Sequence, residues 1–197
     1  MDRKDLSELH YITPIANVAS IMRRGILSNR RVAKLQHQSV AKQEVQDVRA
    51  KVHIPGGRAL HEYANLYICA RNPMLYLRQH QHQSLCVLRV ETSILDVAQV
   101  VITDQNAASR YCRFAAAPAG LAIIDQDWVF AEYWTHPGDQ LAEWRHKSVK
   151  CAEVLVPDSV DPSYIFGAYV SKAGSSEALA QQAPGLQMTI NANLFFR

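Results

Sequence analysis

Apolar positions along the first third of the chain follow two different patterns. A charged lead-in, 1–8, gives way to 9–13, which reads as a short strand. Thr13-Pro14 then predicts a helix start, with Thr as N-cap and Pro in the first helical position. Ile15, Val18, Ile21 and Met22 recur at helical spacing and give that helix a buried face, and Gly25 is its expected C-terminal stop. Residues 28–58 break the pattern: they are rich in Arg, Lys, Gln and His and hold few large apolar side chains. Within them 36–52 reads as a weakly amphipathic helix, closed by the turn Ile54-Pro55-Gly56-Gly57. A segment with so little to bury belongs over the surface or over a ligand.

Strand signals then return at 64–70, and Pro73 opens a short helix with Met74, Leu75 and Tyr76. Runs 85–90 and 97–102 read as strands, and 103–149 is mixed, with helices expected near 125–134 and 138–147. Two more strands, 151–156 and 164–170, are split by Pro157-Asp158 and Asp161-Pro162, before a helix at 175–182 and a terminal strand at 186–196. Helices cluster early and in insertions and do not alternate with strands, which predicts an α+β fold and not a doubly wound α/β sheet. With no repeat and no linker in the pattern, 1–197 is read as a single domain.

Composition narrows the class. At 48% hydrophobic and 20% charged residues the chain has enough apolar surface for a core, which excludes disorder, collagen and a disulfide scaffold. The longest apolar stretch, 115–124, is too short for a membrane span and is broken by Pro118 and Gly120. A charged start without an apolar run carries no secretion signal, so a cytoplasmic location and reduced Cys69, Cys86, Cys112 and Cys151 are expected. The net charge of +3 permits a nucleic-acid partner without arguing for one.

Phosphate-binding glycine loops, G-x-S-x-G and H-E-x-x-H are absent. His80 and His82, two apart, lack a nearby third ligand, so no metal is expected. Three features carry chemistry. Glu153 interrupts an apolar strand run, where an unpaired carboxylate costs several kcal/mol. It is either an edge-strand residue facing water or an arginine, or a carboxylate held rigidly toward a cleft. Trp128, Tyr133, Trp134, Trp144, Arg145, His146, Lys147 and Lys150 shortly precede it, and interleaved aromatics and cations suit stacking on unpaired bases and contacts to phosphates, or else the core of a helical insertion. Lys42, Gln46 and Arg49, beside Lys51, share one face at helical spacing, whether solvated or functional.

In this order the clusters resemble the DarT family, bacterial toxins that ADP-ribosylate single-stranded DNA. The likeness runs from about Leu9 to Phe196. It is carried by Tyr-Ile-Thr-Pro-Ile-Ala-Asn-Val at 11–18, Gly25-Ile26-Leu27, Gln46-Asp-Val-Arg49, Leu60-His-Glu-Tyr63, Ala70-Arg-Asn-Pro-Met-Leu-Tyr76, Asp127-Trp128, Tyr133-Trp134 and Lys150-Cys-Ala-Glu-Val-Leu-Val156. The resemblance implies an ADP-ribosyltransferase fold of two small central β-sheets around an NAD cleft, with helical insertions covering the DNA. NAD would be the substrate that donates ADP-ribose to a base, thymidine, in single-stranded DNA. Glu153 would match the catalytic glutamate and Arg49 the arginine acting on the acceptor base. His10, Tyr11, Thr13, Asn17, Gly25, Leu27, Arg49, Tyr67 and Tyr76 would hold the dinucleotide. Lys42, Gln46, Arg71, Trp128, Tyr133, Trp134, Arg145, Lys147 and Lys150 would face the nucleic acid. Many relatives carry a histidine two residues before the matching threonine. Here Tyr11 stands there and His10 one earlier, so Tyr11, His10 or a backbone group takes the ribose. The resemblance further implies a macrodomain antitoxin that removes ADP-ribose. Other readings are the same fold acting on guanosine, RNA or protein, or a non-catalytic single-strand binding module.

Overall fold

Strand β1 (Leu9–Pro14) lies near the centre of an eight-stranded sheet in the computed structural model, which describes residues 1–197. The other strands of that sheet are β3 (Tyr63–Tyr67), β4 (Leu85–Val90), β5 (Val101–Thr103), β6 (Phe114–Ala116), β7 (Glu153–Pro157), β9 (Ile165–Val170) and β10 (Gln187–Ile190). Their order is β10-β9-β4-β1-β3-β7-β5-β6; β10 and β9 are parallel, and every other pair is antiparallel. A separate ribbon pairs β2 (Ile26–Leu27) with β8 (Ser159–Val160).

The large sheet is two four-stranded halves held by one rung. β1 pairs with β4 along its whole length, Leu9↔Val90 to Pro14↔Leu85, but meets β3 only at His10↔Tyr67. β3 in turn pairs with β7 from Tyr63↔Pro157 to Tyr67↔Glu153. The two expected sheets are therefore present as halves that diverge on one side of a single contact.

One face of both halves makes the main core. Leu9, Leu66, Ile68, Leu88, Val90, Val154, Val156 and Val170 pack there with Val18 and Ile21 of α1 (Val18–Arg24) and Leu179 of α7 (Ala173–Gln182). The opposite face carries two smaller clusters, Ile12, Leu75, Leu85, Val87 and Phe195 on one half and Ile54, Leu60, Tyr63, Ala107 and Leu155 on the other. Gly25 ends α1 at φ 85°, and a Cβ there would lie 2.2 Å from the carbonyl oxygen of Val160, so only glycine fits.

Four sequence expectations shift. The strand runs through Pro14, because its ladder with β4 continues to that residue, so α1 starts only at Val18 after a 3-10 turn at Ile15–Asn17. The helix expected over 36–52 shortens to α3 (Gln43–Arg49), since 36–42 offers one anchor, Val40, against the Ile12 cluster; a four-residue helix α2 (Asn29–Val32) precedes it. The strand at 97–102 becomes Val101–Thr103, with Gln99 at φ 65° breaking its start. The terminal strand stops at Ile190, and a turn then buries Phe195 completely. Of the remaining helices, α4 is Pro73–Tyr76, α5 Gln126–Phe130 and α6 Gln140–Val149. No helix is long and apolar enough to cross a membrane.

Beside the single rung sits a buried polar knot. Glu8 accepts from Arg89 Nε at 2.7 Å and the Tyr169 hydroxyl at 2.7 Å and lies 3.1 Å from His10 Nε2, while Arg89 also covers the rings of Phe166 and Tyr169. Burial alone would raise the Glu8 carboxyl, but these bonds hold it down from 4.5 to about 2. A carboxyl depressed in the folded state contributes stability that is full above its unfolded value and is lost as pH falls toward its folded value. Acid should therefore lower the melting temperature between about pH 5 and pH 2 more steeply in the wild type than in Glu8→Gln. Parallel curves from a thermal melt series across that range would discount the knot.

Candidate active site

Past the His10–Tyr67 rung, β1 and β3 separate and a cavity of about 750 Å³ opens between them. Tyr11, Thr13 and Pro14 line it from β1, and Tyr63, Asn65 and Tyr67 from β3. Residues 35–42 and α3 close it from above. The cover is tied down at Asn17, whose side-chain amide donates to the carbonyl of Gln38 at 2.8 Å and accepts from its N–H at 3.1 Å. That clasp predicts faster tryptic cleavage after Lys34 and Lys42 in Asn17→Ala than in the wild type, both without ligand. Equal digestion rates would show that the clasp does not hold the cover.

Arg49, at the last turn of α3, reaches down through the cavity wall to Glu153, the first residue of β7. The contact is bidentate: Nη1 donates to Oε1 at 2.9 Å and Nη2 to Oε2 at 3.0 Å. Both side chains are buried, at 9% and 1% exposure. Oε1 also accepts the Ala107 N–H at 3.0 Å, and the Glu153 N–H donates to Thr103 Oγ1 at 3.0 Å. Burial works against the Arg49 charge, but Glu153 outweighs it and holds the guanidinium above its ordinary value. The sequence left Glu153 either on an edge strand, facing water or an arginine, or held toward a cleft; the structure puts it on β7, inside the sheet between β3 and β5, and it faces an arginine that lines the cavity without lining the cavity itself. Three of the roughly four acceptor positions of the carboxylate are used, which leaves one on Oε2. Tyr67, across the ladder from Glu153, has its hydroxyl raised well above its ordinary value by burial and by that carboxylate.

Of the expected dinucleotide residues, Tyr11, Thr13, Asn17, Gly25, Leu27, Arg49 and Tyr67 line the cavity. The Tyr11 hydroxyl is pushed up to about 12 by burial. His10 does not line it; its ring is committed to Glu8 and lies against Tyr169. Tyr76 is also outside, packed edge-on between Trp134 and Phe196.

The expected nucleic-acid residues divide more sharply. Lys42, Gln46 and Lys147 line the cavity, with Lys147 Nζ held by Glu143 at 2.6 Å. Lys150 is corrected: it is 1% exposed, and its Nζ donates to the carbonyls of Val129 at 2.8 Å and Ala131 at 2.7 Å. Its third donor goes to Cys69 Sγ at 3.4 Å, so the ammonium anchors the loop after α5 and has no donor left for phosphate. Trp134 is buried against Tyr76 and Phe196, and Arg71 binds the carbonyls of Glu132 and Asn193 and stacks on Phe196, so both belong to the packing of the C-terminal turn. Trp128 and Arg145 line a separate recess with Trp144, and Trp128 stacks on the buried His146 at 4.5 Å. Tyr133 is exposed and lines neither space. The sequence assigned no role to His61, Asn65, Arg78 or Ser109, which all line the cavity, because none lies in a chemically suggestive run.

A family model described as ssDNA thymidine ADP-ribosyltransferase, DarT, matches residues 10–194. The chain belongs to the DarT family. It is 36% identical over 83% of its length to a DNA ADP-ribosyl transferase-DNA ADP-ribosyl glycohydrolase fusion protein of Thermosipho africanus, and spans 42% of that longer protein. It is 32% identical over 75% of its length to a DNA ADP-ribosyl transferase of a Thermus species, covering 73% of that relative. Among solved structures, Thermosipho africanus DarTG in complex with ADP-ribose superposes with a TM-score of 0.83 at 30% identity, over 96% of this chain and 51% of that one. Thermus sp. 2.9 DarT in complex with ADP-ribosylated ssDNA gives 0.84 at 23% identity, over 98% of both chains, a likeness of fold. This DarT chain thus has the α+β transferase architecture that its sequence resembles.

Proposed function

We propose that this chain, acting as one domain over 1–197, transfers ADP-ribose from NAD to thymidine in single-stranded DNA. The observation that carries the reading is a buried carboxylate, Glu153, gripped by an arginine that itself lines the cavity. In such a reaction the bond from ribose C1′ to nicotinamide breaks, and nicotinamide leaves neutral with the bonding pair. The sugar passes through an oxocarbenium-like state. The base ring nitrogen then bonds to C1′, and its proton passes to water.

Glu153 would serve the donor half: its open Oε2 position takes the ribose 2′-OH, and its charge in a dry site stabilises the developing cation. Arg49 would serve the acceptor half. A guanidinium keeps its proton at any working pH, so it is unsuited to act as a base and suited to stabilise the ring anion. Tyr11, Thr13, Asn17, Gly25, Leu27 and Tyr67 would form the dinucleotide wall, with the Tyr11 hydroxyl rather than His10 turned toward the ribose. Lys42, Gln46 and Lys147 would face the strand. The test is mass spectrometry of a thymidine-containing oligonucleotide incubated with protein and NAD. A gain of about 541 Da is expected on thymidine. No gain on that strand, with label appearing instead on RNA or protein, would move the acceptor.

An enzyme that modifies DNA bases must be restrained in its own cell. In the Thermosipho relative the transferase is fused to a DNA ADP-ribosyl glycohydrolase. We therefore infer a cytoplasmic toxin restrained by an antitoxin of that activity, the macrodomain protein expected from the family.

A further inference from the structure

Four cations line the cavity, Lys42, Arg49, Arg78 and Lys147, against one lining carboxylate, Glu44. Two of the four are already compensated: Arg49 by Glu153 and Lys147 by Glu143. Lys42 is exposed on the cover. Arg78 alone is an uncompensated cation rising from the rigid side. It is partly buried, no carboxylate lies within salt-bridge distance, and its guanidinium makes one hydrogen bond, Nη1 to the carbonyl of Met74 at 3.2 Å.

The mounting is firm. Arg78 follows α4, whose N-cap Asn72 is fully buried and accepts from the Leu75 N–H at 3.1 Å while donating to the Cys69 carbonyl at 2.9 Å. Leu75 is 1% exposed in the Ile12 cluster, so the turn that carries Arg78 is pinned at two points. The bond to Met74 folds the side chain back over its own turn and leaves the other guanidinium donors without partners. Burial depresses the guanidinium below its ordinary value. A half-desolvated cation without a counter-ion is a cost to the free protein that an anion from outside removes.

Resting on the transferase reading, we propose that Arg78 is a phosphate-binding residue of this cavity, taking a phosphodiester oxygen pair in its free guanidinium face. Two sources carry that chemistry, the pyrophosphate of NAD and the backbone of the acceptor strand. A planar fork suits either one better than an ammonium does. Lining the cavity from the turn after α4, Arg78 gives it a fixed anion-binding subsite besides the Glu153–Arg49 pair.

The experiment compares wild type, Arg78→Gln and Arg78→Lys by calorimetric titration with NAD and by anisotropy with a labelled thymidine-containing oligonucleotide at two salt concentrations. Thermal melts confirm that each variant is folded. Arg78→Gln should weaken one ligand by about tenfold or more, as expected for a lost charge-assisted hydrogen bond, with Arg78→Lys recovering part of it. Loss confined to NAD assigns the site to the pyrophosphate. Loss confined to the oligonucleotide, with a shallower salt slope, assigns it to the strand. Unchanged affinity for both overturns the phosphate site while leaving the transferase reading intact. Wild-type protein that binds neither NAD nor the oligonucleotide overturns that reading and the site together.

Discussion

Glu153→Gln is expected to reduce transfer of ADP-ribose by about 10²- to 10³-fold or more while oligonucleotide binding stays near wild type. Gln has the shape of Glu and keeps an oxygen for the Ala107 N–H, which Glu153 now accepts at 3.0 Å. It lacks the charge that the oxocarbenium-like state needs, so the loss falls on the chemical step and not on assembly of the cavity. The change also leaves Arg49, 9% exposed, without its counter-ion, and removing one member of a buried pair costs about 3–5 kcal/mol. A lower melting temperature is therefore part of the expectation. Rates must be read well below it, with folding confirmed by circular dichroism. The decisive comparison is between binding and turnover. If Glu153→Gln loses both in proportion, the residue holds the cavity together and does not act on the sugar.

How much of this was legible in the sequence depends on which part of the chain carries the information. Strands β4, β7 and β9 are read nearly to their ends because both faces are buried and the apolar run is continuous. Glu153 stood out for the same reason, as one carboxylate in an apolar run. Its pairing with Arg49 did not: that residue lies 104 residues away, on a helix whose surroundings look solvated, and only the closing of α3 over the cleft brings the two together. Lys150 was misplaced because a lysine beside aromatic residues looks alike on paper whether it faces phosphate or caps two backbone carbonyls. Trp134 is hidden for a similar reason, since concentration of aromatics in sequence does not say which faces are already covered by Tyr76 or Phe196. Arg78 gave no signal because its meaning comes from a missing carboxylate, and that is a property of three dimensions. The single rung between β1 and β3 was equally invisible. Pairing partners are not local, and the divergence after His10–Tyr67 is what makes the cavity.

Arg49→Lys is expected to separate the two halves of the reaction. Lysine keeps a positive charge near Glu153 but loses the fork that makes two bonds, at 2.9 and 3.0 Å. Cleavage of NAD by water needs the carboxylate and its field, so it should fall by less than about tenfold. Transfer to thymidine also needs a planar cation against the ring nitrogen and should fall by about 10²-fold or more. Arg49→Ala is the harsher change, because Glu153 is then left 1% exposed with the Ala107 N–H as its remaining side-chain partner. The cost of an unpaired buried charge, about 3–5 kcal/mol, should appear as a lower melting temperature in Arg49→Ala and as a smaller drop in Arg49→Lys. Measured side by side, nicotinamide release without DNA and mass gain on the oligonucleotide give the ratio that matters. A ratio equal to that of the wild type in Arg49→Lys would mean that the arginine only organises Glu153. A ratio shifted toward nicotinamide release places the guanidinium on the acceptor base, where its five donors and fixed charge do what a proton-accepting group cannot do in so dry a site.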